Sequence, residues 1–284
     1  MSWHPSDLVT DKDLLSYERK ILTQFGETNW ELRRTKAIED WLFSFLEARG
    51  FDPLKFRTRH VPVSVLSYTS STFADRSSVA GDVNGLNLAT ILAATSDALY
   101  IGFKQPFRGV SVRMYDAVSS VDAQLTVAVW GDGWIVPEGV DNGTRKGLKS
   151  FGQGGAITWT PPARVVVRTL STITDKLYWV RLQTSAAPTG ATAGPVAVIL
   201  RSRLAAAVTL RTLELIFREA PTGQDGPWLE KATYYGLQAA EAFTRAAGLI
   251  GPEFDTDKSD DIGEAERQQT AEAASGGGWT LERA

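Results

Sequence analysis

The chain has 284 residues, 43% of them hydrophobic and 22% charged, with a formal net charge of -3; this is a globular balance without a basic nucleic-acid footprint, and the length suits one large domain or two ordinary ones. It contains no cysteine, which excludes disulfides, thiolate metal sites and a cysteine nucleophile, and fits assembly in a reducing cytoplasm. No apolar run approaches the ~18 residues that span a bilayer, and the opening MSWHPSDLVTDKD lacks the basic end and apolar core of a signal peptide.

The chain opens with helical spacing. Thr10 and Asp13 resemble a capping box, and Leu14, Leu15, Ile21, Leu22 and Phe25 then form one apolar stripe, with Gly26 as the stop. Thr28 and Glu31 form a second capping box. The helix after them buries Ala37, Ile38, Trp41, Leu42, Phe45 and Leu46 and stops at Gly50, before Phe51-Asp52-Pro53. A short turn between the two predicts an antiparallel helical hairpin. Arg33, Arg34 and Lys36 cluster near the start of the second helix, read as a solvated face or as a contact for an acidic partner surface or DNA. His4 and His60 lie far apart and read as surface or capping residues.

Near Arg57 the period changes. Val61–Tyr68 alternates apolar and small polar residues, and short strands are predicted at Ala98–Phe103, Val110–Tyr115, Leu125–Trp130, Ala156–Trp159, Leu177–Thr184 and Val196–Ser202. Gly131-Asp132-Gly133, Asp141-Asn142-Gly143 and Gly152-Gln153-Gly154-Gly155 supply the turns. Many short strands so punctuated predict an antiparallel β-sandwich or jelly roll. Leu204–Phe217 fits either a last strand pair or a strand feeding the next helix. Trp130, Trp134, Trp159 and Trp179 read as sandwich core, with a sugar-stacking platform as the alternative.

Helical spacing returns at Asp225-Gly226-Pro227, with Pro at the first helical position. Leu229, Ala232, Leu237, Ala240, Phe243 and Ala247 follow, and Gly248, Gly251 and Pro252 end the helix. Asp255, Asp257, Ser259, Asp261 and Glu266 follow the spacing of a calcium loop. The glycine expected at its sixth position is replaced by Asp260, so the stretch reads as an acidic connector with Ca2+ as the alternative. Ser275-Gly276-Gly277-Gly278 is a flexible linker to a docking tail with Trp279 and Leu281. The chain has no P-loop, no G-x-S-x-G elbow and no H-E-x-x-H motif, which leaves no enzyme class with a motif in its favour.

Several stretches resemble tailed-bacteriophage structural proteins. Asp97–Phe103 with Pro106-Phe107, Val129–Trp134, Ile157–Pro162 and Leu177–Leu182 are similar to a recurrent phage β-sandwich module of pattern LYIG…PF, WNGxW, GxIxWxPP and YWxRL, with Asp132 in place of the usual Asn. DLLSYERKIL, RTKAIEDWLFSFLEARGFDP and the final GPEFDTDKSDDIGEAER…WTLERA resemble a head-to-tail adaptor. The resemblance implies an α+β chain: helical adaptor parts at 1–60 and 218–274, an inserted β-sandwich at 61–217 and a docking tail at 275–284. It implies a structural virion protein rather than an enzyme. Copies would form a homo-oligomeric ring, a dodecamer, below the portal, bound to the portal and to the next neck or tail protein. Packaged DNA would pass through the lumen, with no membrane involved. The alternative is a tail or baseplate module whose sandwich recognises host-surface glycans.

Overall fold

In the computed structural model, residues 5–25, 30–53, 56, 58–115, 117–220 and 226–247 are described. The chain forms two units, one from Met1–Thr58 with Ser202–Ala284 and the other from Arg59–Arg201.

The N-terminal segment is helical but broken. Helices α1 (Pro5–Leu8), α2 (Asp11–Leu15) and α3 (Ile21–Gln24) are separate short turns, so the predicted helical hairpin is not formed. The Thr10–Asp13 capping box is present: the Asp13 N–H donates to Thr10 Oγ1 at 3.3 Å and the Thr10 N–H to Asp13 Oδ2 at 2.7 Å. Propagation then fails. The Ser16 hydroxyl donates to the Asp13 carbonyl at 2.6 Å, a local bond that competes with the helix ladder. Helices this short persist only through tertiary packing, here the burial of Leu14 and Ile21.

The next helix runs through α4 (Glu31–Lys36), a π-helical stretch (Ala37–Leu42) and α5 (Phe43–Ala48). It buries Ala37, Ile38, Leu42 and Leu46, close to the predicted stripe, and exits at Gly50 with φ of 81°. Residue Thr28 of the second capping box lies outside the described residues.

The second unit is β-rich. Its strands are β1 (Arg59–His60), β2 (Ser64–Thr69), β3 (Thr72–Asp75) and β4 (Leu86–Asn87), then, after the helical turn α6 (Leu88–Ile91), β5 (Ala98–Phe103), β6 (Phe107–Val112), β7 (Leu125–Trp130), β8 (Trp134–Ile135), β9 (Asp141–Asn142), β10 (Gly155–Thr158), β11 (Arg168–Leu170), β12 (Ile173–Thr184), β13 (Thr192–Ala193) and β14 (Val196–Leu200). One sheet has the order β1-β14-β6-β10-β9. The other runs β3-β2-β5-β12-β7-β8, with β11 beside β12. The pairing of these strands is antiparallel. Leu99, Ile101, Val127, Val129, Val180 and Leu182 of the second sheet share one core with Val110, Val112, Ile157, Val196 and Val198 of the first. Two antiparallel sheets around one apolar core make a sandwich. His60, expected at the surface, is 3% exposed in β1, with its ring 5.9 Å from that of Phe103.

After Ser202 the chain rejoins the helical unit through α7 (Ala205–Arg218) and α8 (Pro227–Ala247). The structure therefore corrects the reading of Leu204–Phe217 as part of the sandwich: it is a helix, and it supplies Ala207, Val208, Leu213, Ile216 and Phe217 to the helical core. The buried Thr209 and Thr212 hydroxyls are satisfied within the helix, donating back to the Ala205 and Val208 carbonyls at 2.7 and 2.8 Å. Pro227 opens α8 as predicted. The described structure is thus mixed α+β, with antiparallel sheets.

Candidate partner-binding surface

The tryptophans singled out in the sequence fall into two environments. Trp159 and Trp179 are buried at 3% and 2% exposure. The Trp179 Nε1–H donates to the Arg168 carbonyl at 2.8 Å, and Gly102 on β5 lies opposite it in register. Trp130 and Trp134 are half-buried on the outer side of the larger sheet, brought opposite each other across the β7–β8 turn. Asp132, in that turn, pairs with Arg164 at 2.9 Å.

These rings do not form a flat platform. Trp130 and Trp134 meet edge-on, with centroids 5.2 Å apart, and Trp134 leans on Tyr100 at 5.4 Å. The Arg168 guanidinium covers Trp130 at 3.9 Å and that of Arg181 covers Trp134 at 4.9 Å. The faces a sugar would stack on are occupied by arginine. The cavity between Trp130, Trp159, Trp179, Pro106, Pro161 and Pro162 measures about 20 Å³, room for one water. Burial pushes the Tyr100 phenol above its ordinary pKa, with Arg181 pulling the other way. This face is a small second core closed by two cations.

The basic cluster is spent inside the helical unit. Arg34 is buried; its Nη1 donates to the Val9 carbonyl at 3.0 Å and its Nε lies 3.4 Å from Asp11 Oδ1, so it anchors the N-terminal segment instead of facing a partner. Arg33 and Lys36 share Glu219, at 2.8 and 3.1 Å.

An open surface lies on α8. Its buried stripe is Ala232, Tyr235, Ala239, Phe243 and Ala246, at helical spacing. Leu229 and Leu237, grouped with that stripe in the sequence reading, instead face solvent, and Leu237 is 68% exposed and Tyr234 58%. Two hollows flank this ridge. One, of about 590 Å³, runs along Gly226, Leu229, Thr233 and Leu237. The other, of about 660 Å³, is walled by Tyr17, Arg203, Leu210, Tyr234, Gln238 and Arg245. Beside its buried stripe, α8 thus presents Leu229, Tyr234 and Leu237 to solvent. The signal was present in the sequence for Leu237 alone, which is out of phase with the Ala232–Tyr235–Ala239–Phe243 repeat; Leu229, three residues before Ala232 and fourteen before Phe243, keeps the phase of that repeat and is exposed in the first turn.

Beside the second hollow lies a polar cluster. Glu18 Oε1 accepts from Lys231 Nζ at 2.5 Å and from the Tyr235 hydroxyl at 2.8 Å. Burial, then the hydrogen bond to Glu18, hold the Tyr235 phenol well above its usual pKa.

The calcium-like stretch Asp255, Asp257, Ser259, Asp261 and Glu266 and the tail residues Trp279 and Leu281 lie outside the described residues. Among the described residues, no group of three or more His, Asp or Glu side chains is placed to hold a metal ion, and no helix is long and apolar enough to cross a membrane. No protein-family model, no curated protein and no solved structure matches this chain.

Proposed function

We propose that the chain is a structural protein of a tailed-phage virion, a head-to-tail adaptor that forms a ring below the portal and links capsid to tail. The observation that carries this reading is a helical unit built from both ends of the chain, with its own core and an exposed apolar face on α8. A β-sandwich is inserted between its halves. A ring subunit needs two different faces for its neighbours and a third for the next component; a helical base with an inserted display domain provides them. The resemblance of the N- and C-terminal segments to adaptors, and of the middle to a phage β module, points the same way. DNA would pass through the lumen, where a formal net charge of -3 fits a wall that does not grip the phosphate backbone. Copies would assemble in the host cytoplasm and remain in the virion neck. Electron microscopy of the purified protein mixed with its cognate portal tests the proposal: the expected particle is a ring stacked on the portal, and a bare portal would refute it.

A further inference from the structure

The helical unit carries two surface patches of opposite character that share no residue. The first is the solvent side of the helix through α4, the π-helical stretch and α5. Glu39, Asp40 and Glu47 are exposed there and take part in none of the ion pairs among the described residues. Leu32, 62% exposed, adds an apolar knob. Positions 32, 39, 40 and 47 lie along one side of the helix, with Lys36, exposed but paired with Glu219, among them, so the side keeps a net negative charge. The patch is an acidic ridge with an apolar end, about 22 Å long at 1.5 Å per residue.

The second patch is the 660 Å³ hollow between the end of α2, α7 and α8. Tyr17 and Tyr234 supply exposed rings, and Arg203 and Arg245 supply positive charge. Arg245 faces Glu241 at 3.6 Å in an exposed pair of little energetic weight. Tyrosine and arginine beside an apolar floor are the composition of interface hot spots. Along α8 this wall runs from Tyr234 to Ala246, about 18 Å, close to the length of the acidic ridge.

We infer that copies of this chain join head to tail, with the acidic α4–α5 ridge of one copy seated in the Tyr/Arg hollow of the next. The occupant is a second copy because the same unit offers both halves of the match, an anionic ridge and a cationic groove of similar length. Two unlike patches make the contact heterologous, which propagates into a ring or a filament and does not stop at a two-fold dimer. Charge sets the register and the encounter rate, and Leu32, Tyr17 and Tyr234 supply the apolar burial. The inference deepens the adaptor reading by naming the subunit interface.

Charge reversal with complementation tests it. Sedimentation velocity on the full-length chain, from low to high micromolar, would compare wild type with two variants. The ridge variant is Glu39→Lys/Asp40→Lys/Glu47→Lys; the groove variant is Arg203→Glu/Arg245→Glu, with Arg245→Glu alone as a milder version at an exposed site. Circular dichroism confirms that each is folded. Wild type is expected to form higher species as concentration rises. Each variant alone should need at least about tenfold more protein to do so, because like charges then meet. An equimolar mixture should regain wild-type assembly, since each variant supplies the sign the other lost. A monomeric wild type at every concentration, folded variants that assemble as wild type does, or a mixture that stays dissociated would each overturn the inference. Rings on the portal together with charge-insensitive assembly would remove this interface and leave the adaptor reading; charge-dependent assembly without rings on the portal would do the reverse.

Discussion

The Glu214 carboxylate lies directly against Gly236. Glu214, on α7, is 2% exposed and ion-paired with Arg211 and with Arg218. A Cβ on residue 236 of α8 would stand 2.9 Å from Glu214 Cδ and 3.0 Å from Oε2. The missing side chain is the space the buried carboxylate occupies, and it sets how closely α7 and α8 approach.

This juxtaposition predicts a coupled pair of substitutions. Gly236→Ala gains up to about 1 kcal/mol of helix propensity but pushes on a carboxylate that two arginines hold in place, so a net loss of about 1 kcal/mol is expected. Glu214→Ala leaves Arg211 and Arg218 without their partner. Both retain some exposure, which keeps the cost near the low end for a broken buried pair, about 2–3 kcal/mol. In the double variant the clash is gone and the propensity gain remains, so it should be more stable than Glu214→Ala alone. Urea unfolding of the four proteins gives the coupling energy; simple additivity would mean that the carboxylate does not press on Gly236.

The outer face of the larger sheet predicts stability effects without effects on sugar binding. Trp134→Ala removes ring contacts to Tyr100 and Trp130 and the surface under Arg181; a loss of about 2 kcal/mol is expected. Gly102→Ala would place a Cβ 2.8 Å from Trp179 Cζ3 and 3.0 Å from Leu177 Cδ1, overpacking that should cost about 1–3 kcal/mol. Thermal unfolding measures both. A glycan array is expected to show no binding that Trp130→Ala or Trp134→Ala abolishes; a specific hit lost in a stably folded Trp130→Ala variant would restore the sugar platform.

Alkaline titration reads out the Glu18–Tyr235 contact. The folded phenol is held above the ordinary tyrosine pKa of about 10 by burial and by Glu18. In the unfolded chain Tyr235 ionises near that value while in the folded chain it keeps its proton. Above about pH 10 the unfolded state therefore binds fewer protons, and stability falls as pH rises. The contribution is fully present below pH 10. Tyr235→Phe should cost about 1–2 kcal/mol near neutrality, through the lost bond to a charged acceptor, and should show a shallower fall above pH 10. Tyr100, raised in the same direction, leaves part of the slope in place. Equal slopes for wild type and variant in urea unfolding near pH 11 would show that the contact does not set this dependence.

Legibility in the sequence followed locality. Ala98–Phe103 and Leu125–Trp130 appear as strands with the predicted bounds because each is an apolar run between turn residues. Leu204–Phe217 was ambiguous because Val208, Thr209, Thr212 and Ile216 carry strand propensity; the helix wins through its packing in the helical core, where the buried threonine hydroxyls are satisfied by the Ala205 and Val208 carbonyls. Just past the break after Leu15, Glu18 meets Lys231 and Tyr235, partners 213 and 217 positions away that no local pattern encodes. The hollow is hidden for the same reason, since Tyr17, Arg203 and Tyr234 come from three distant segments. On α8, Leu237 breaks the phase of the buried repeat and its exposure was legible, whereas Leu229 keeps that phase and its exposure was not.

The corrected boundary makes the insertion itself testable. Excising 61–217 would delete α7, and with it Leu204, Val208, Leu213, Ile216 and Phe217, all at 2% exposure or less in the helical core. Burying side chains of this kind contributes about 1.5–3 kcal/mol each, more than a domain of ordinary stability can lose. That protein should be unfolded or insoluble. Excising Arg59–Arg201 instead removes the β unit alone. Strands β1 and β14 pair antiparallel with Arg59 opposite Ile199, so the chain enters and leaves the sandwich side by side and a short Gly-Ser linker between Thr58 and Ser202 can close the gap. This shorter protein should keep a helical circular-dichroism spectrum and a cooperative thermal transition, and the separate 59–201 fragment should fold as a β protein. Cooperative unfolding of the first and no transition in the second would mean that the sandwich depends on the helical unit. Loss of the transition in the first, with a folded 59–201 fragment, would mean that the helices need the sandwich as their foundation, and would refute the picture of a self-sufficient helical base carrying an inserted domain.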